Sequence, residues 1–253
     1  MVVNDAVLWL NMDLNANDSS STGNNGSAEG GADLTATGKI DEGASLNGST
    51  SYVNVPDSSS LDMGTSDLAI SLFIKPLSAM SNDTLVWKRN NASGANVGYT
   101  LAFLSSTSIR GELNDGGTRN GFKDYTISAL SVGVWYHILI NFDRSGNQEL
   151  FINKVSQGTG SISANTSSIS NAIDLTIGAL TTGASKANYA NMVVDLVGVY
   201  NHLLDSTDRD DLYNSGDGFN PYASSGYNNK VNGVVASKVN GVAVANISKV
   251  NGI

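Results

Sequence analysis

The chain contains no cysteine. Disulfides, thiolate nucleophiles and every cysteine-based metal site are therefore excluded. Stability has to come from core burial, from oligomerisation or from a cation held by oxygen ligands. Proline is scarce, with 3 among 253 residues, and the 27 glycines follow no three-residue period, which excludes a collagen-like fibre. Charge is scarce too: 15 % of residues are Asp, Glu, Lys or Arg, against roughly 25 % in ordinary soluble domains. Lys and Arg number 14 against 23 Asp and Glu, a net charge of −9. Nucleic-acid binding needs a basic footprint, and an anionic membrane surface repels such a chain, so neither partner is expected. No apolar run, Met192–Val194 with Leu196–Val199 among them, approaches the roughly 20 residues that insert across a bilayer. The opening MVVNDAVLWL has no basic region and carries Asp5 ahead of its apolar stretch, so it reads as the start of a strand rather than a signal peptide.

What the chain has in abundance is turn chemistry. Gly, Asn and Ser together make up 91 of the 253 residues, too many for a helical bundle. Hydrophobic residues at 40 % suffice for a core. Short apolar or alternating segments recur between the turn clusters: 6–12 (AVLWLNM), 68–76 (LAISLFIKP), 85–88, 99–104, 134–143 (VWYHILINFD), 149–152, 175–177 and 192–200. The segment 44–55 alternates about Asn47-Gly48, which predicts a short hairpin. Ten to twelve such strands predict an all-β, two-sheet antiparallel sandwich. Its expected core includes Trp9, Tyr52, Leu72, Ile74, Trp135, Ile138, Ile140, Phe142, Val197 and Val199. One short helix is expected from Asp205 or Ser206 as N-cap to Gly216 as C-cap. Composition changes after Pro221. Residues 221–229 read as a linker, and 230–253 repeat Lys-Val-Asn-Gly at Lys230, Lys238 and Lys249. Turns at Asn232, Asn240 and Asn251 would join β-branched arms into a ribbon. A ribbon so small is marginal alone and needs a partner, so these asparagines mark an expected oligomerisation or anchoring tail.

Catalytic chemistry finds little support. His137 lies within an apolar strand, His202 precedes the helix, and no Gly-x-Ser-x-Gly accompanies either. Glu29, Glu42, Glu112 and Glu149 are scattered, without the paired-carboxylate pattern of a glycanase. The expectation is a protein that is not an enzyme.

The order of segments resembles the laminin-G-like, concanavalin-like jelly-roll family in its phage or bacterial branch. The resemblance rests on Val7–Asp13 followed by Asp18-Ser-Ser and Gly23-Asn-Asn-Gly26, then Gly38-Lys-Ile and Ser45–Val55. Ile70–Pro76 follows, with Phe73 where the family has Trp. Trp135-Tyr-His…Asp143 with Leu150-Phe-Ile-Asn153, and Val194–Asn201 with Leu212-Tyr213, complete the set over about residues 5–216. Lys154 stands where the family has Gly, so a variant turn is expected there. The resemblance implies a jelly roll over 1–220 with the helix and a C-terminal β-ribbon tail.

The resemblance also implies a site and a role. The family often shares one Ca2+ between the loop after the first strand and the closing strand, which carries over to Asp18, Asn24 and Asp195, in a loop rich in oxygen ligands. Glycan binding is the family's commonest suggestion. Trp87, beside Lys88 and Arg89 at a loop border, and Arg119, on the loop Gly116–Gly121, are the candidate contacts. The KVNG arms resemble the ends of phage structural proteins. The expected role is a non-enzymatic virion component (head fibre, capsid decoration or tail-associated) that displays a lectin-like domain. Its expected partners are capsid or tail subunits, further copies of itself and a cell-surface glycan. The alternative is a secreted or surface bacterial carbohydrate-binding module.

Overall fold

The computed structural model describes residues 3–90, 96–117 and 121–223, with the backbone of four short strands beyond them. The chain divides into two units, Met1–Pro221 and Tyr222–Ile253. In the first, the strands in chain order are β1 (Leu8–Leu10), β2 (Ser27–Glu29), β3 (Asp33–Thr37), β4 (Glu42–Asn47), β5 (Tyr52–Val55), β6 (Leu68–Pro76), β7 (Thr84–Arg89), β8 (Gly98–Ser105) and β9 (Ser108–Asn114). There follow β10 (Phe122–Thr126), β11 (Tyr136–Phe142), β12 (Asn147–Ile152), β13 (Val155–Ser161), β14 (Leu175–Ile177), β15 (Leu180–Thr182), β16 (Ser185–Ala187) and β17 (Asn191–Tyr200). An eight-stranded sheet runs β13-β12-β11-β6-β17-β4-β3, with β1 also on β17. A seven-stranded sheet runs β10-β9-β8-β7-β14-β5-β2. Every pairing is antiparallel, and the expected two-sheet jelly-roll sandwich is what forms.

Period-two alternation places the core between the sheets. Leu72, Ile74, Ile138, Ile140 and Phe142 of one sheet face Tyr99, Leu101, Ile109 and Leu175 of the other. Trp9 is also sealed, at 1 % exposure, where its strand passes Gly198. A Cβ at Gly198 would stand 2.9 Å from the Trp9 ring, so only glycine admits the indole there. Two expected core residues are not in the core. Tyr52 and Trp135 are half-buried on the outer faces, each under a lysine: Lys186 Nζ lies 5.3 Å from the Tyr52 ring and Lys75 Nζ 5.1 Å from Trp135.

The hairpin expected at Asn47-Gly48 is also different. β4 and β5 belong to opposite sheets. Asn47 Oδ1 accepts the backbone N–H groups of Ser49, Thr50 and Ser51, folding a crossover rather than a two-residue turn. The variant turn expected at Lys154 does form: Asn153 and Lys154 both take positive φ, 48° and 69°, the twist that joins β12 to β13.

The helix α1 (Ser206–Tyr213) starts at Asp205, whose carboxylate accepts the Thr207 and Asp208 N–H groups while Asp208 reaches back to the Asp205 N–H. It ends at Asn214, in the left-handed region at φ 45°, two residues before the expected Gly216. The helix lies on the outer face of the eight-stranded sheet. Tyr213 stacks on His137 at 6.0 Å, and His137 on Phe73 at 4.7 Å.

In the second unit, β18 (Lys230–Val231) pairs with β19 (Val234–Val235), and β20 (Lys238–Val239) with β21 (Val242–Ala243). Asn232, Asn240 and Asn251 themselves lie outside the described residues.

Leu72, in the centre of β6, is fully buried. Leu72→Ala is expected to lower unfolding free energy by about 2–5 kcal/mol, the range for a buried leucine that leaves a cavity. Equilibrium denaturation checks it. A loss below about 1 kcal/mol would mean that the two sheets close over the gap.

Candidate functional site

The two outer faces of the sandwich are not equivalent. α1 covers one of them. The other, the outer face of the seven-stranded sheet, is built by the alternate residues of β7, β8 and β9. Tyr99, Leu101, Ile109 and Leu113 point into the core. Their neighbours Thr100, Ala102, Arg110 and Glu112 therefore point outward. Register sets Glu112 opposite Thr100, Thr100 opposite Trp87, Trp87 opposite Thr176, and Thr176 opposite Asn54. With strands about 4.8 Å apart, these make one row across the sheet. The hairpin β15–β16 rises beside the row, and Thr176, at its base, donates its hydroxyl to the Ala179 carbonyl.

A cavity of about 260 Å³ opens on this face, with Trp87, Arg89, Glu112 and Arg110 around its floor and Asn82, Asn188 and Leu180 on its rim. The floor is electrostatically closed. Arg89 Nη1 donates to Glu112 Oε2 at 3.0 Å, with the two side chains 5 % and 1 % exposed. Arg89 Nε and Nη2 donate to the Asn96 carbonyl and Oδ1 at 3.4 and 2.8 Å. The guanidinium lies 5.4 Å from the Trp87 ring, and Trp87 Nε1 donates to the Arg89 carbonyl. Arg110 grips Asp124 with two hydrogen bonds of 2.6 and 2.8 Å. The rim is neutral: Asn82 and Asn188 are exposed, in the left-handed region at φ 57° and 49°, and their side-chain amides bond no described residue.

Trp87 thus belongs to the cavity, although it lies within β7 at 6 % exposure instead of at a loop border. Its neighbour Lys88 turns the other way: Nζ sits 2.6 Å from Asp57 and accepts no place in the groove. It also donates to the Asn171 and Ile173 carbonyls. Arg119 lies outside the described residues. Sequence spacing alone does not bring Glu112 to Arg89: 23 residues separate them, and only the β7–β8–β9 register unites them.

The residues expected to hold Ca2+ are placed differently. Asp18 and Asn24 meet, with the Asn24 N–H donating to Asp18 Oδ2 at 2.8 Å. The Asp18 carboxylate also accepts Trp9 N, Ser20 N, Ser20 Oγ and Thr22 Oγ1. Asn24 Nδ2 donates to the Val7 carbonyl and Ser60. These groups bind their own loop to β1 and point inward. Asp195 stands elsewhere, at a bulge in β17, where Oδ2 accepts Lys39 N and Ile40 N, and Oδ1 accepts Leu196 N. As a cation cage the three do not fit, since their oxygens are already turned to protein donors. Among the described residues no three His, Asp or Glu side chains gather as a metal set.

His137 reaches Ser71 Oγ through Nε2 at 2.8 Å, a pairing that nucleophilic catalysis uses. Both residues are buried, between Phe73 and Tyr213 in the histidine's case, and burial pushes the imidazole down to about 3. It stays neutral and out of reach of any substrate. Glu112, in the groove, is paired with Arg89, and Asp124, beside it, with Arg110.

A family model described as the concanavalin A-like lectin/glucanases superfamily matches residues 47–208. No curated protein matches the sequence. Among solved structures, the binding domain of Paraclostridial Mosquitocidal Protein 1 is similar, with a TM-score of 0.67 and 20 % identity over 85 % of this chain and 53 % of that one. The binding domain of botulinum neurotoxin DC, in complex with rat synaptotagmin II, gives 0.65 and 19 % over 85 % and 52 %. Domain 4 of AbnA, an extracellular arabinanase from Geobacillus stearothermophilus, in complex with arabinotriose, gives 0.61 and 18 % over 82 % and 97 %. The chain spans about half the length of the toxin binding domains. At these identities the likeness is one of fold.

Two acids, Asp195 buried and Asp13 half-buried, set a pH dependence. Burial pushes Asp195 up to about 8 against its three N–H donors, and burial with Asp41 and Glu42 pushes Asp13 up to about 6. Unfolded, both titrate near 3.8. The folded state then holds extra protons above about pH 4, so their contribution is full below that and falls as pH rises through about 6 and 8. The melting temperature is expected to drop across this window, and Asp13→Asn to remove the lower step. A melting temperature that is flat or rising there in calorimetry would show that burial does not dominate.

Proposed function

Since the chain belongs to the concanavalin A-like lectin/glucanases superfamily, we propose that its jelly roll takes a glycan into the groove on the outer face of the seven-stranded sheet, without catalysis, as the displayed domain of a phage virion protein. The domain itself is lectin-like, and its structural neighbours are binding domains. The observation that carries the glycan reading is the cavity: roughly monosaccharide-sized, floored by a preformed Arg89–Glu112 pair on Trp87, and rimmed by the amides of Asn82 and Asn188. It lies just below the roughly 300–1,000 Å³ of drug-sized pockets. Preformed polar groups hold their geometry without reorganising, which lowers the entropic cost of binding.

Display on a virion rests on the second unit. Its repeated arms form two short antiparallel pairs, and it carries Lys230, Lys238 and Lys249 with no acidic residue, whereas the chain as a whole is acidic. Such ribbons expose edges that pair with other strands, here those of further copies or of capsid or tail subunits. A secreted or surface bacterial carbohydrate-binding module is the second reading. It is favoured by the likeness to a domain of an extracellular arabinanase.

Glycan-array binding tests the first part. The double variant Asn82→Ala, Asn188→Ala, altering exposed rim residues, is expected to lose at least about tenfold in affinity, or about 1.4 kcal/mol. Unchanged binding would remove the groove from consideration. Truncation after Pro221 tests the second part. The truncated protein is expected to remain folded, to become monomeric and to lose particle incorporation. Truncated protein that still assembles into particles would overturn the anchoring role.

A further inference from the structure

We infer that the groove selects uncharged glycans and rejects those bearing carboxylate or sulfate groups. The inference rests on the groove being a glycan site and names the class of glycan it accepts. An arginine at the floor of a binding cavity usually signals an acidic ligand, because its fork matches a carboxylate with two parallel hydrogen bonds. Here both forks are engaged. Arg89 holds Glu112 and the carbonyl and amide oxygens of Asn96. Arg110 holds Asp124 through Nε and Nη2, in the two-point geometry that a ligand carboxylate would require. Lys88 is on the far side of β7 with Asp57 and Asp62.

An anionic sugar has two ways in, and both are unfavourable. It can displace Glu112 from Arg89, which strands a carboxylate 1 % exposed beneath the cavity. Or it can lie above the intact pairs, giving up its hydration while the only cations among the described lining residues, Arg89 and Arg110, keep their own carboxylates. The net charge of −9 adds a long-range penalty. A neutral sugar meets none of these costs. Its hydroxyls both donate and accept, as do the Asn82 and Asn188 amides, and the paired ions beneath present a polar surface with no net charge.

The test is native affinity electrophoresis of the full chain in gels containing either neutral polysaccharides (arabinan, galactan, dextran) or acidic ones (polygalacturonate, hyaluronate, chondroitin sulfate), at low and high salt. Retardation is expected only in neutral gels and is expected to be insensitive to salt, since no net charge is exchanged. Glu112→Gln keeps a hydrogen-bond acceptor for Arg89 but releases a positive charge, and is expected to gain about tenfold or more in retention by acidic gels at low salt. If circular dichroism shows that this variant does not fold, Asp124→Asn, at the exposed partner of Arg110, tests the same release. Retardation of the unaltered protein by acidic gels, or no gain in a folded variant, overturns the charge selection and leaves the glycan reading standing. Retardation in neither class of gel overturns both.

Discussion

The fold turns on one strand that changes partners. β17 runs through the middle of the eight-stranded sheet, pairing with β4 over its first half, with β1 over its second and with β6 throughout. The switch is a bulge at Asp195-Leu196, where Leu196 takes φ 50° and the register against β6 shifts. A bulge leaves backbone groups unpaired, and here a buried carboxylate satisfies them. Asp195 accepts its neighbour's N–H and reaches across to Lys39 and Ile40, tying the tip that joins β3 to β4 against the bulge. The approach is so close that a Cβ at Gly38 would stand 2.7 Å from Asp195 Oδ2 and 2.0 Å from the Glu42 carbonyl. Burying the carboxyl disfavours its charged form, yet the three N–H groups would have no other partners at this depth. The buried carboxyl thus holds the β3–β4 tip at the point where β17 passes from pairing with β4 to pairing with β1.

Other buried polar groups follow the same logic at the sandwich ends. Lys88 ties the loop at Asp57 to that at Asn171 and Ile173, and Arg144 gathers the carbonyls of Gly64, Asn165 and Ser167. Each brings together segments about 80 residues or more apart in sequence or supplies donors to a loop without a ladder. With no cysteine, such contacts take the place that cross-links hold in disulfide-rich domains.

Period two made the long strands legible. In β6, β11 and β17, strands of seven to ten residues, apolar residues hold the alternate core-facing positions (Leu68, Ile70, Leu72 and Ile74 in β6), and no helical period competes. Local turn chemistry misled where a single asparagine can serve two purposes. Asn47 reads as a hairpin residue, but its side chain accepts three N–H groups and carries the chain to the other sheet. Tyr52 and Trp135 lie beside core positions along their segments, and aromatic character alone could not separate a core ring from one shielded by a lysine stem. The groove was partly legible. Ile109-Arg-Gly-Glu-Leu113 alternates apolar and charged residues, which marks Arg110 and Glu112 for one outward face. What alternation cannot supply is the neighbour: that Glu112 meets Arg89 depends on two strand registers, each reset by a bulge.

Those registers decide which face of the molecule is left to bind. A sandwich has two outer faces, and the polar residues on each must be covered or hydrated. On the eight-stranded sheet, Phe73, Phe151 and His137 would expose rings to water. α1 covers them, with Tyr213 over His137 and Arg209 4.2 Å from the Phe151 ring. That face is closed by its own chain. On the seven-stranded sheet the only covering of the described residues near the row is the β15–β16 hairpin, which stands to one side of Trp87. The open remainder carries four charges, Arg89 and Glu112 buried and Arg110 and Asp124 partly exposed. Pairing Arg89 with Glu112 and Arg110 with Asp124 neutralises them in place. The same pairing that makes an uncovered sheet face tolerable in the unbound protein therefore also leaves it without the net charge that would attract an ionic ligand.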